Sequence, residues 1–170
     1  MHSAARIFAV AVHGEQKYGD DPYAKHLDAV AALAAPYGTQ AVTVAYLHDA
    51  VEDTSATLAE IEQQFDAFIA ACVGLLTDEP GATRKERKAK TYAKMAGVTG
   101  PTELALIVKA ADRLANVRAC VAGARREQWE VYRGEHEAFY NAAYRAGLCD
   151  PLWTELQQLL AADARPAPEA

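Results

Sequence analysis

Cysteine is scarce in this 170-residue chain: Cys72, Cys120 and Cys149 are far apart, odd in number and free of any CxxC spacing. That pattern argues against a disulfide framework and against a zinc knuckle. What remains is small buried thiols in a reducing compartment. No apolar run approaches the roughly 18 residues needed to span a bilayer, so no membrane association is expected. The opening MHSAARIFAVAVHGEQ holds only a short apolar run, interrupted by His13. It lacks a charged segment followed by a long apolar one, so it does not read as a signal peptide. A cytoplasmic location is the expectation. Positive charge is also short, with 17 Lys and Arg against 23 Asp and Glu and a formal net charge of -6. Such a balance disfavours nucleic acid as a partner, while leaving room for a local basic pocket. Strand formers are sparse and alanine is abundant, which points to helices.

Helical periodicity runs through nearly every segment. The spacing predicts helices over 3–17, from about 22 to 35, and from Thr39 through the stretch AYLHDAVEDT at 45–54. Asp20 or Asp21 is expected to cap the second, with Pro22 in its first turn. Thr57 followed by Glu60 makes a capping box for a fourth helix ending near Gln64, and a fifth covers about 66–76. Residues 82–97, ATRKERKAKTYAKMAG, form a strongly basic helix. Later helices are expected over 102–122, 126–146 and 150–162. No repeat, linker or hairpin signal is found. The expectation is a single all-α domain over 1–163, a bundle of about eight or nine helices, with a disordered tail at 164–170. The residues set no oligomeric state, although the aromatic helix at 126–146 offers a face for one.

The stretch AYLHDAVEDT carries His48, Asp49, Glu52 and Asp53 in apolar company. On one helix, His48 and Glu52 lie four apart, as do Asp49 and Asp53, so all four look toward one side. Unpaired carboxylates are costly to bury. Either the stretch is a helix end with a solvated acidic face, or a cation neutralises it. Imidazole with carboxylate suits manganese, iron or zinc. Two distant segments offer further ligands: His26 among Leu27, Val30 and Ala31, and Asp112 inside the apolar IVKAADRLANV. Each has a plainer reading, His26 as a satisfied core histidine and Asp112 as a partner of Lys109 or Arg113.

Taken together, HGEQKYGDDPYAKHL, YLHDAVEDT, TLAEIEQQF, LLTD and VKAADRLANVR resemble, in order, the HD superfamily of metal-dependent phosphohydrolases. The resemblance is most specific to the hydrolase domain of the Rel/SpoT alarmone enzymes and its free-standing small alarmone hydrolases. It covers about residues 4–120. It implies an all-α HD fold and a manganese ion, or another divalent cation, held by His26, His48, Asp49 and Asp112. It also implies that Glu52 and Asp53 orient and deprotonate the attacking water. The small-molecule nucleotide (p)ppGpp would be the substrate, giving GDP or GTP and pyrophosphate. Lys17, Arg87, Lys88, Lys109 and Asn116 fall where the family contacts its nucleotide, and the remaining residues leave no room for a synthetase domain.

Several positions depart from the family pattern. The loop has Lys17 then Tyr18 where two basic residues are common. Ala115 stands where histidine or tyrosine is frequent, and HL follows the metal motif where HP is usual. These changes touch the nucleotide pocket and leave the ligands intact. Two alternatives therefore stay open: the same chemistry on another purine nucleotide, such as an adenine alarmone or a 3′-phosphorylated dinucleotide cofactor, and a nucleotide-binding regulator without turnover.

Overall fold

The computed structural model describes residues 1–123 and 125–161; the expected tail at 164–170 lies outside them. The element order is α1 (His2–His13), β1 (Lys17–Tyr18), β2 (Asp21–Pro22), α2 (Ala24–Ala34), α3 (Thr39–Leu47), α4 (Ala50–Asp53) and α5 (Leu58–Gln64). It continues with α6 (Ala67–Leu76), α7 (Arg84–Ala96), α8 (Leu104–Val121), α9 (Gln128–Ala143) and α10 (Asp150–Leu159). The fold is all-α, as expected, apart from the two-residue strands. Among the described residues, every α segment but the one-turn α4 runs seven residues or longer.

The longest helix, α8, is the axis of the bundle. Val108, Ala110, Ala111, Leu114 and Val117 are fully buried on it, and α2, α3, α6, α9 and α10 pack around it. A helix enclosed on most sides reads apolar nearly all round, so the polar residues it does carry stand out as functional candidates. Trp129, Phe139 and Trp153 fill the far side of the core, where the Trp129 indole N–H donates to the Leu159 carbonyl at 2.9 Å. The capping box forms as expected, with Thr57 and Glu60 each bonding the other's backbone N–H. Asp66 caps α6 and Thr83 caps α7. Each such cap is worth about 1 kcal/mol.

The structure corrects three local expectations. First, α1 stops at His13, not at 17, because Gly14 takes φ 55 and turns the chain. Second, KYGDDP is a hairpin, pairing Lys17 with Pro22 and Tyr18 with Asp21. Its two-residue loop opens on Gly19 at φ 62, where a II′ turn needs positive φ. Pro22 therefore lies in β2, and α2 starts at Ala24 without a side-chain cap. Third, the helix through AYLHDAVEDT is broken. Asp49 has φ -104 and ψ -1, the sparsely populated bridge region often used by active-site residues. Successive residues of an unbroken helix diverge by about 100°. The break lets His48 and Asp49 both face the same point.

Candidate metal centre

Two helices and the break converge on one cluster. His26 comes from α2, His48 and Asp49 from the junction of α3 and α4, and Asp112 from the middle of α8. His48 Nε2 lies 2.9 Å from Asp49 Oδ2 and 3.6 Å from Asp112 Oδ1. His26 Nε2 lies 3.3 Å from Asp112 Oδ1 and 4.0 Å from Asp49 Oδ2. Both histidines are buried, and Asp112 is nearly so. Ligand atoms of His26, His48 and Asp49 all lie within 4.8 Å of one another.

Hydrogen bonds outside the cluster orient these groups. The Ala45 carbonyl can only accept, so His48 Nδ1, 2.7 Å away, carries a proton. The other nitrogen, Nε2, is buried and faces two carboxylates without a well-aligned hydrogen bond. Tyr23 donates its hydroxyl to Asp49 Oδ2. Asn116 donates to Asp112 Oδ1 at 2.6 Å, and Tyr18 donates to Asn116 Oδ1 at 2.6 Å. Tyr18 also stacks on His26, with centroids 4.6 Å apart. Outer partners of this kind fix ligand orientation at metal sites.

The electrostatics fit a cation. Burial alone would raise the Asp112 and Asp49 pKa values. The neighbouring histidines, with Lys109 nearby, outweigh it and hold both well below the usual carboxylate range. Burial alone would lower the His48 pKa, yet Asp49 and Asp112 raise it well above its ordinary value. The site therefore demands positive charge between its acids, from a proton or from a metal. Two imidazole nitrogens, one of them buried without a well-aligned hydrogen bond, and two carboxylates make a donor set that a divalent ion fits.

Glu52 and Asp53 flank the cluster on α4. The Asp78 N–H donates to Glu52 Oε2 at 3.0 Å. Glu52 reaches solvent, but the protein mass around its carboxyl raises its pKa, against that bond and Lys109. Gln16 donates to Asp53 Oδ2 at 2.8 Å. Both acids line a polar cavity of about 240 Å³ together with His26, Asp49 and Asp112. Lys88, Lys109 and Asn116 line it too. Lys88 is tied to Asp78 at 2.7 Å, and Lys109 sits 3.7 Å from Asp112 Oδ2.

Lys17 and Arg87 do not line this cavity among the described residues: Lys17 is exposed on β1 because its strand neighbour Tyr18 takes the inward position. Arg84, Arg113, Arg125 and Tyr132 line it as well. Arg113 is sandwiched by Tyr132 and Phe139 and bonded to Glu135, which also holds Arg84 in a two-pronged pair. Glu135 and Arg125 carry no sequence signal for this, since contacts from α9 and the loop before it appear only when the chain is folded. A second, apolar recess of about 570 Å³, walled by Ala29, Ala32, Leu33, Ala115 and Ala119, opens beside Tyr18 and His26.

The sequence matches the family described as HD domain over residues 4–149. It is 31% identical over 144 residues to a guanosine-3′,5′-bis(diphosphate) 3′-pyrophosphohydrolase of Aquifex aeolicus, covering 83% of this chain and 21% of that protein. A GTP pyrophosphokinase of Brucella ovis is 33% identical over 163 residues, covering 91% of this chain and again 21% of the relative. The chain thus spans about a fifth of the length of these curated relatives. Among solved structures, a metazoan ortholog of SpoT, described as hydrolysing ppGpp and playing a role in starvation responses, superposes with a TM-score of 0.73. It is 24% identical, with 92% of this chain and 94% of that one covered. A Listeria monocytogenes protein superposes at 0.67 with 22% identity, over 85% of this chain and 99% of its own. Both share the fold.

Proposed function

The chain belongs to the HD-domain family of metal-dependent phosphohydrolases, and from that premise we propose that it is a manganese-dependent (p)ppGpp 3′-pyrophosphohydrolase acting in the cytoplasm. The observation that carries the reading is the convergence of His26, His48, Asp49 and Asp112 beside the Glu52–Asp53 pair at a cavity with a cationic wall. The Aquifex relative's activity points the same way. No helix of the described residues is long and apolar enough to cross a membrane.

His26, His48, Asp49 and Asp112 would hold the metal. Bound there, a divalent cation supplies a water of lowered pKa and neutralises phosphate charge. Glu52, its pKa raised by its surroundings, takes the proton from the attacking water. Asp53 orients that water. The water oxygen bonds to phosphorus, and the bond from that phosphorus to the ribose 3′ oxygen breaks. The proton passes to Glu52, and the 3′ oxygen leaves as a hydroxyl after taking up a proton from solvent water, to which Glu52 then returns its own. Lys88, Lys109 and the cavity arginines bind phosphate oxygens, Arg113 and Arg84 being pre-set by Glu135. Asn116, fixed by Tyr18 and Asp112, meets the ribose, and the alanine-walled recess takes the base.

That recess favours one second reading. Ala115 lines it where the family often has histidine or tyrosine, and its polar lining residues are Tyr18, Asp21, Lys25, His26 and Arg118. Weak polar readout of the base admits adenine as well as guanine. Turnover of the guanine and adenine 3′,5′-bis(diphosphates), side by side with manganese, tests both. Guanine preference supports the leading reading, equal or greater adenine turnover moves the substrate to the second, and binding without product leaves only a regulator.

A further inference from the structure

We infer that Gln16 and His13 are positioning residues that set Asp53. Gln16 and His13 lie outside the metal set, His13 at the end of α1 and Gln16 on the turn between α1 and the hairpin. The inference rests on the role proposed for Asp53. A carboxylate can only accept hydrogen bonds, so Gln16 must turn its NH₂ toward Asp53 Oδ2, at 2.8 Å. Its amide oxygen then faces the other way, 2.8 Å from His13 Nδ1. That oxygen can only accept, so Nδ1 must carry the proton. Each link thus fixes the next.

The start of the relay is anchored. His13 is buried, 6% exposed, and stacks on Tyr23 with centroids 4.4 Å apart and planes 22° apart. Tyr23 in turn donates to Asp49. The Gln16 backbone is held on both sides, its N–H on the His13 carbonyl at 3.0 Å and its carbonyl by the Tyr23 N–H at 2.9 Å. One stacked ring pair therefore serves both a metal-cluster acid and its non-ligating neighbour. Asp53 is exposed at the end of a one-turn helix. Without Gln16, its carboxylate has several rotamers to choose from.

The test is a double-mutant cycle. Gln16→Leu removes the donor. Gln16→Glu keeps the shape and the acceptor for His13 but sets carboxylate against carboxylate. Each is expected to lower kcat by about 10- to 100-fold, the cost of a misplaced catalytic group, with KM within about twofold. The manganese-induced rise in melting temperature should be unchanged. In an Asp53→Asn background, Gln16→Leu should cost nothing further. Two results would overturn the relay while leaving Asp53's role intact: full activity of both Gln16 variants when Asp53→Asn is impaired, or losses that multiply in the double variant. Full activity of Asp53→Asn alone would overturn the role of Asp53 and the relay with it.

Discussion

Manganese should raise the melting temperature of metal-free protein, and the size of the rise can be worked out. Asp49 and Asp112 are both held ionised in a nearly buried cluster, where His48 Nε2 faces them. A cation would bind this arrangement only in the folded chain, because the four candidate ligands come from two separate helices and a helix break. At a free metal concentration about 100 times Kd, linkage stabilises the fold by about 2.7 kcal/mol. For a chain of this size, 1 kcal/mol moves the melting temperature by about 2–4 °C, so a rise of about 5–11 °C is expected. Calorimetric scans of chelator-treated protein with and without manganese measure it. Asp112→Asn and His48→Ala should abolish the rise. No rise in the unsubstituted protein, or the same rise in Asp112→Asn, would refute the assignment of the cluster.

Acidity should act in opposite directions on the two forms. In metal-free protein, protonated His48 is stabilised by Asp49 and Asp112. That stability is full below its ordinary value of 6.5 and lost as pH rises through the raised folded value. The depressed acids contribute stability present above 3.8 and lost as pH falls toward their folded values. Manganese must displace the His48 proton, so the metal-induced rise should grow with pH above 6.5 while the metal-free melting temperature falls; scans between pH 5.5 and about 8.5 check both slopes. Glu52→Gln should lower kcat by about 10²- to 10⁴-fold while keeping the manganese-induced rise, as steady-state rates beside thermal scans would record. Glu135→Ala frees Arg84 and Arg113 together, so KM for a multiply charged nucleotide should rise by more than for a singly phosphorylated one. Leu114→Ala empties a fully buried position on α8 and should cost about 2–5 kcal/mol in chemical denaturation without changing metal dependence.

The helices were legible through their periodicity, and one start was marked locally: Thr57 with Glu60 caps α5, a contact within four residues. The expected cap of α2 by Asp20 or Asp21 does not form. His26, His48, Asp49 and Asp112 were named together through the family resemblance, since their spacing alone left plainer readings open. The break at Asp49 was not legible, because AYLHDAVEDT contains neither proline nor glycine. The break follows from the tertiary contacts of His48 and Asp49, not from local propensity. The hairpin at 17–22 was missed because its strands are two residues long and carry no apolar alternation. Its Gly19-Asp20 loop was the one available signal. Lys17, named from the resemblance, lies exposed on β1 beside the inward Tyr18 and does not line the polar cavity. Glu135 lay beyond sequence reasoning for the same physical reason, because its partners Arg84 and Arg113 are 51 and 22 residues away.

The central claim is that this cluster and the Glu52–Asp53 pair cleave a 3′-pyrophosphate. Metal-free protein should be incubated with ppGpp, with and without manganese, beside the double variant Glu52→Ala/Asp53→Ala, and the products resolved by ion-exchange chromatography. Manganese-dependent GDP and pyrophosphate, absent with the double variant, is the predicted result. Unchanged ppGpp in the presence of manganese, or equal turnover by the double variant, would contradict it.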